Sequence, residues 1–404
     1  MLSQYIPKRY ATALLKHIIA VSLFFPYFYS HNMNMFYQDF ILSNFFAVLS
    51  ILVILFSWKL DLSKNVILLF GLGLLLIAYN VFATYMNYNY HHWYGEQINT
   101  TISFLLFIIL LMVRDTHAIL DTSTIKATIH MIVTSNVLAI AFHLFTKSNK
   151  LFFINDRIDI VMFSEDFLVN QFSWLYGHKS QYGMILLLCT SFLTINRTYF
   201  RNIFTYIISQ GILIFCIYLS DSYTSLIGVF IILMGLCLDY ICSLKFKQKL
   251  LVFLLAIPSF YFIILKFYHY IKQNRNILTI GSRTNIWSTF LEIIKNNPNG
   301  ILTSSFGEDS FLYYVKTDYK MWTNNAHNIF LNHILRYSMP VGFIFAALFI
   351  LLFLFSIKYR FKFVTICIWI AIFISINMDY SLTSVELTFV LLLIFQMFFT
   401  EKKR

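Results

Sequence analysis

The stretch YTSLIGVFIILMGLCLDYICS, residues 223–243, is almost wholly apolar and long enough to cross a bilayer as one helix. About 20 residues, each rising 1.5 Å, span the hydrocarbon. Runs of the same kind lie near 11–29, 38–58, 66–86, 98–113, 127–146, 181–196, 202–219, 250–271, 339–357, 362–377 and 383–400, which makes twelve expected spans. The composition agrees: 59% of the 404 residues are hydrophobic, 19% aromatic and only 12% charged, with a mean hydropathy of +0.71. A soluble domain keeps far more charge on its surface. The expected fold is an all-α polytopic membrane protein of about 12 transmembrane helices, with residues 1–404 forming a single integral-membrane domain.

The net charge of +12 is read as topology rather than as nucleic-acid binding, because basic residues gather in the short loops of one side. With a cytoplasmic N-terminus, the inner loops hold Lys8 and Arg9, Lys59 and Lys64, Arg114 and Lys126, Arg197 and Arg201. They continue with Lys245, Lys247 and Lys249, then Lys358, Arg360 and Lys362, and the tail Lys402 to Arg404. The short outer loops 31–37, 87–97, 220–222 and 378–382 contain no Lys or Arg. This distribution predicts an even number of spans and two cytoplasmic termini, with anionic head groups facing the basic loops. Cys189, Cys216, Cys237, Cys242 and Cys367 all fall in or beside apolar segments, and neither a disulfide nor a zinc site is expected. A cleavable signal peptide is not expected either: the run at 11–29 lacks a small-residue cleavage site and another span follows at once.

Two outer loops are long, 147–180 and a large one at 272–338. Both are expected to carry short amphipathic helices. In SRTNIWSTFLEIIKNN, residues 282–297, Ile286, Trp287, Phe290, Leu291, Ile293 and Ile294 fall on one stripe, Ser282 is the expected N-cap, and NPNG is the stop. This helix is expected to lie on the membrane surface or against the bundle. A second short helix is expected to begin near His327.

Several residues of these loops can carry chemistry. Arg283 stands in the first turn of its helix, where the macrodipole disfavours a cation unless an anion binds there; free N–H groups and a guanidinium form a phosphate or pyrophosphate site. The alternative is a surface arginine meeting head groups or Glu308. His327, with an unperturbed imidazole pKa of about 6.5, can take a proton from a sugar hydroxyl, and Asn328 can orient it or hold a hydroxyl; the alternative is a helix cap. GHKSQYG, residues 177–183, offers His178, Lys179 and Gln181 at a similar depth, or else a glycine-bounded turn with a snorkelling lysine. Asp221 either contacts substrate or caps the next helix, with capping favoured. His91, His92 and Trp93 read as an interfacial belt. Most loop aromatics read as seals, with Trp322 left open as a surface for stacking on a sugar face. A transporter would place its ionisable groups at mid-membrane; here they gather around the outer loops, which favours chemistry at the outer face.

The order GSRTNIW, an amphipathic helix ending NNPNG, AHNIFLNHILRY and a last hydrophobic block resembles the O-antigen ligase and polymerase superfamily of bacterial envelopes. GHKSQYG looks like a segment of the polysaccharide polymerases in that group. The resemblance covers about residues 170–345. Two positions depart from its pattern: Ser338 stands where members usually carry glycine, and Tyr223 follows Ser222 where they often carry arginine. The resemblance implies a GT-C-like integral-membrane glycosyltransferase of the bacterial inner membrane that uses sugars linked to undecaprenyl pyrophosphate, with no nucleotide sugar, metal or other cofactor. A repeat-unit polymerase is the favoured member, with a ligase acting on lipid A core as runner-up and a lipid-linked oligosaccharide flippase as the alternative of another class. The implied partners are the lipid-linked oligosaccharide and the bilayer, and a polysaccharide chain-length regulator is left open. The implied site has His327 as base and Arg283 at the departing pyrophosphate, with Asn328, His178, Lys179, Gln181, Asp221 and Trp322 around the substrate.

Overall fold

The computed structural model describes residues 64–86, 121–146, 150–154, 157–161, 172–176, 179–246, 283–300, 313–314, 322–323, 326–359 and 362–378. It adds isolated positions between 13 and 24, 48 and 56, 101 and 112, and 248 and 272. The helices are α1 (Lys64–Met86), α2 (Thr122–Thr146), α3 (Lys179–Ile195), α4 (Ile203–Leu219), α5 (Tyr223–Ser243), α6 (Arg283–Asn296), α7 (Ile329–Tyr337), α8 (Met339–Tyr359) and α9 (Phe363–Met378). Among the described residues, three helices are long and apolar enough to cross a membrane: Thr122–Thr146, Tyr223–Ser243 and Met339–Lys358. Phe70–Tyr79, Ile203–Leu219 and Phe363–Met378 are shorter apolar helices. The spans expected near 11–29, 38–58, 98–113, 250–271 and 383–400 lie outside the described residues, apart from isolated positions.

α3 is buried continuously from Tyr182 to Thr194, as a helix apolar on every side must be when it occupies the centre of a bundle. α4, in contrast, turns Ile203, Phe204, Ile207 and Ile208 outward, a row suited to lipid. Some polar residues inside the bundle bond across helices. Tyr182 donates to Asn136 Oδ1 at 2.8 Å, and Gln210 Nε2 donates to Thr194 Oγ1 at 3.1 Å. Such bonds are the glue available where lipid tails remove the hydrophobic drive between helices.

Small residues bring α5 close to both neighbours. A Cβ added at Gly228 would lie 2.8 Å from Leu187 of α3 and 3.3 Å from Ala371 of α9. One added at Gly235 would lie 2.7 Å from Cys367 Cβ and 2.8 Å from Val364 Cα. At the far end of this contact Asp239 accepts from the backbone N–H groups of Phe363 at 2.8 Å and Val364 at 3.2 Å. The α5 carboxylate thus caps the N-terminus of α9, where the helix dipole favours it. α5 and α9 run antiparallel, and α3 runs parallel to α5. One end of the bundle therefore gathers the N-termini of α3 and α5 with the C-terminus of α9. That end is the one expected to face outward.

Two antiparallel ribbons stand in the loops that were expected to carry helices alone. β1 (Lys150–Ile154) pairs with β2 (Arg157–Val161), and the two-residue β3 (Tyr313–Tyr314) pairs with β4 (Trp322–Thr323). The first ribbon is in keeping with RIDI, residues 157–160, in which polar and apolar residues alternate with period two. α6 forms where it was expected, but its stripe is narrower: Leu291 is exposed. Ile286, Phe290 and Ile294 are buried and form a separate small core with Ala326 and Leu335, so the helix packs on α7.

Gly235→Ala is expected to destabilise the protein by about 1–3 kcal/mol, because the new methyl meets backbone of α9 that cannot rotate away. The measurement is the Tm of the detergent-solubilised protein. Gly211→Ala, where nothing lies within 4 Å, is the control and should leave Tm unchanged or raised.

Candidate functional site

α6 lies between two bundle helices and is bonded to each at one end. At its N-terminus Arg283 Nε donates to the Met378 carbonyl at 2.9 Å, at the C-terminus of α9. After its C-terminus the Pro298 carbonyl accepts from Met339 N–H at 3.2 Å, where α8 begins. The helix thus bridges the ends of α9 and α8. The Arg283 bond answers the oddity of a cation at the positive end of a helix: the guanidinium is offset by the negative end of another. It engages one of the five N–H donors that an arginine carries.

One turn further along, about 6 Å up the axis, Trp287 Nε1 donates to the Ala326 carbonyl at 3.0 Å. The Ala326 N–H in turn donates to Asn332 Oδ1 at 2.9 Å. His327 follows with φ 49°, a left-handed conformation uncommon outside glycine, though histidine is enriched there. Asn328 is the N-cap of α7, its side chain accepting from Phe330 N–H and Leu331 N–H at 3.0 Å each. The second short helix therefore begins at Ile329, near His327 as expected. Capping falls to Asn328 because its side-chain oxygen reaches the free N–H groups of the first turn.

Lys179 and Asp221 come together from different helices. Lys179 Nζ lies 3.6 Å from Asp221 Oδ2 and 3.5 Å from the Asp221 carbonyl. The lysine side chain is only 11% exposed, so it does not snorkel. Asp221 has φ 52° and precedes Ser222, the N-cap position of α5. The aspartate does not cap that helix, because its carboxylate is turned to Lys179. Gln181 is half-buried in the first turn of α3. Gly183 does not bound a turn: it lies within α3, where an added Cβ would sit 2.6 Å from Ser222 Cβ and 2.7 Å from Ser225 Oγ. Trp322 stands in β4. His178, Ser282, Glu308 and the His91–Trp93 belt lie outside the described residues.

Sequence reasoning placed Trp287 in an apolar stripe and passed over Asn332. Two signals pointed to them. An indole N–H that leaves water requires an acceptor. An amide among the apolar residues of IFLNHIL is a polar group at a core position; Asn332 is fully buried.

Ser338, the position where glycine was expected, has φ 153° and ψ 167°. That region of backbone space is essentially glycine's own. The serine joins α7 to α8, and its hydroxyl donates to Tyr79 of α1 at 3.0 Å.

Packed helices of this length and apolarity, with lipid-suited outer faces, make the chain a multi-pass membrane protein, and α6 and α7 form a platform on one end of it. Residues 208–345, about a third of the chain, match the family model described as O-antigen ligase, a similarity that supports the resemblance to the O-antigen ligase and polymerase superfamily. The matched stretch contains Asp221, Arg283, Trp287, His327, Asn328 and Asn332, while Lys179 and Gln181 precede it. No curated protein matches the chain.

Ser338→Gly is expected to relieve backbone strain of about 1–3 kcal/mol, offset by about 1 kcal/mol for the lost hydroxyl bond. In a Tyr79→Phe background that bond is already gone, so Ser338→Gly should raise Tm further there than in the unmodified protein.

Proposed function

We propose that the protein is a polymerase joining undecaprenyl-pyrophosphate-linked oligosaccharide repeat units into O-antigen or a related surface polysaccharide. The reaction takes place at the outer face of the plasma membrane. The observation that carries this reading is that α6 both presents Arg283 and, one turn on, holds the residue before His327. Glycosyl transfer from a polyprenyl pyrophosphate asks for such a pairing. A hydroxyl of the incoming lipid-linked unit attacks the anomeric carbon of the growing chain. The bond from that carbon to the pyrophosphate oxygen breaks, and undecaprenyl pyrophosphate departs. The hydroxyl proton passes to His327 as general base. Arg283, with the N-terminal N–H groups of α6, stabilises the charge that develops on the leaving group. Lys179 adds a second cation, and Asp221, Gln181 and Asn328, with His178 and Trp322 from their places in the sequence alone, are the proposed contacts for sugars and phosphates. The left-handed backbone at Asp221 and His327 supports the reading, since strain of this kind concentrates at functional sites.

The second reading is an O-antigen ligase that moves finished polysaccharide onto a lipid A core sugar, and the family match is compatible with either. Deletion of the gene in its own bacterium separates the two. A polymerase deletion loses the polysaccharide ladder but keeps lipid A core capped with a single repeat. A ligase deletion loses all capping and accumulates long lipid-linked polymer. Lipid-linked units trapped on the inner leaflet would instead mean a flippase and overturn both. Complementation tests the residues: Arg283→Ala and His327→Ala should insert at normal levels and restore no ladder. Wild-type ladders from both variants would refute the assignment of the site.

A further inference from the structure

Ala326 is fully buried, and both of its backbone polar groups are held by side chains of two different helices. Asn332 of α7 takes the N–H and Trp287 of α6 takes the carbonyl. The next residue, His327, has a left-handed backbone that an unrestrained chain would leave. The residue after it, Asn328, is fastened in turn by its cap on α7. The histidine is thus fixed on both sides by side chain to backbone bonds, and nothing in its own residue type enforces this. Because Trp287 stands one turn from Arg283 on the same helix, the bond to Ala326 also ties the backbone next to His327 to the helix that carries Arg283.

We propose that Trp287 and Asn332 are positioning residues that set the place of His327 relative to Arg283, and so the geometry in which the acceptor hydroxyl is deprotonated. The proposal rests on His327 being the base of the glycosyl transfer. Reacting groups must be held within a fraction of an ångström, and a misplacement of 1 Å from a distant change costs on the order of a hundredfold in rate. A residue that acts in this way lowers kcat and leaves substrate binding intact. A residue that merely joins α6 to α7 lowers the amount of folded protein and leaves the turnover of each folded molecule alone.

The test uses the full-length protein reconstituted in vesicles. Its substrate is the lipid-linked repeat unit extracted from the deletion strain, and rates are normalised to monodisperse protein. Trp287→Phe keeps the ring and removes only the N–H donor; Asn332→Leu removes the acceptor; Asn332→Asp keeps an acceptor oxygen. A second readout needs no turnover: the rate at which diethyl pyrocarbonate modifies His327, followed by peptide mass spectrometry. Trp287→Phe and Asn332→Leu are expected to lower kcat by roughly tenfold to a hundredfold with KM held within about twofold. Both should alter the His327 modification rate, and Asn332→Asp should recover much of each loss. If Asn332→Leu is not recovered from the membrane, Trp287→Phe decides alone. Wild-type kcat and an unchanged modification rate in Trp287→Phe, with His327→Ala inactive, overturn the positioning role and leave the base assignment standing. A fully active His327→Ala overturns the base assignment itself.

Discussion

The close approach of α5 to α9 is the constraint from which the rest of the described structure follows. Gly228 and Gly235 let the two helices meet with almost no side chain between them. In a lipid surrounding, where burying apolar area between helices gains little, van der Waals contact of this kind holds a pair together. It fixes where α9 ends. α6 is fastened to that end through Arg283 and Met378, and Ala326 is fastened to α6 through Trp287. The backbone that precedes His327 is therefore linked by two hydrogen bonds to the helix that packs against α5.

α9 carries a complementary charge at each end. The Asp239 carboxylate meets its first N–H groups and the Arg283 guanidinium meets its last carbonyl. Each charge comes from another element, so the dipole of one helix ties α5 and α6 to it at opposite ends. The same arrangement makes Arg283 tolerable at the start of α6.

Lys179 and Asp221 show how far a short loop can be read before its neighbours are known. Both were candidates from their place at the ends of apolar runs. Their pairing crosses from α3 to the turn before α5 and depends on those helices running parallel. The serine contacts at Gly183 hold the two N-termini close enough for the lysine to reach the turn.

The sequence by itself determined the class. Long apolar runs have one stable form in lipid, the helix, because it alone satisfies its own backbone groups within a single segment. The helix of α6 and its stop before Pro298 were also legible, because local periodicity and helix-end chemistry need no tertiary knowledge. Single-position partners were not legible. That Asp221 turns to Lys179 rather than capping α5, and that Ser338 bonds Tyr79 from a glycine conformation, depend on which groups other segments bring near. Tertiary structure decided these because a hydrogen bond is satisfied by proximity in space. Trp287, Ala326 and Asn332 meet only after α6 and α7 have packed.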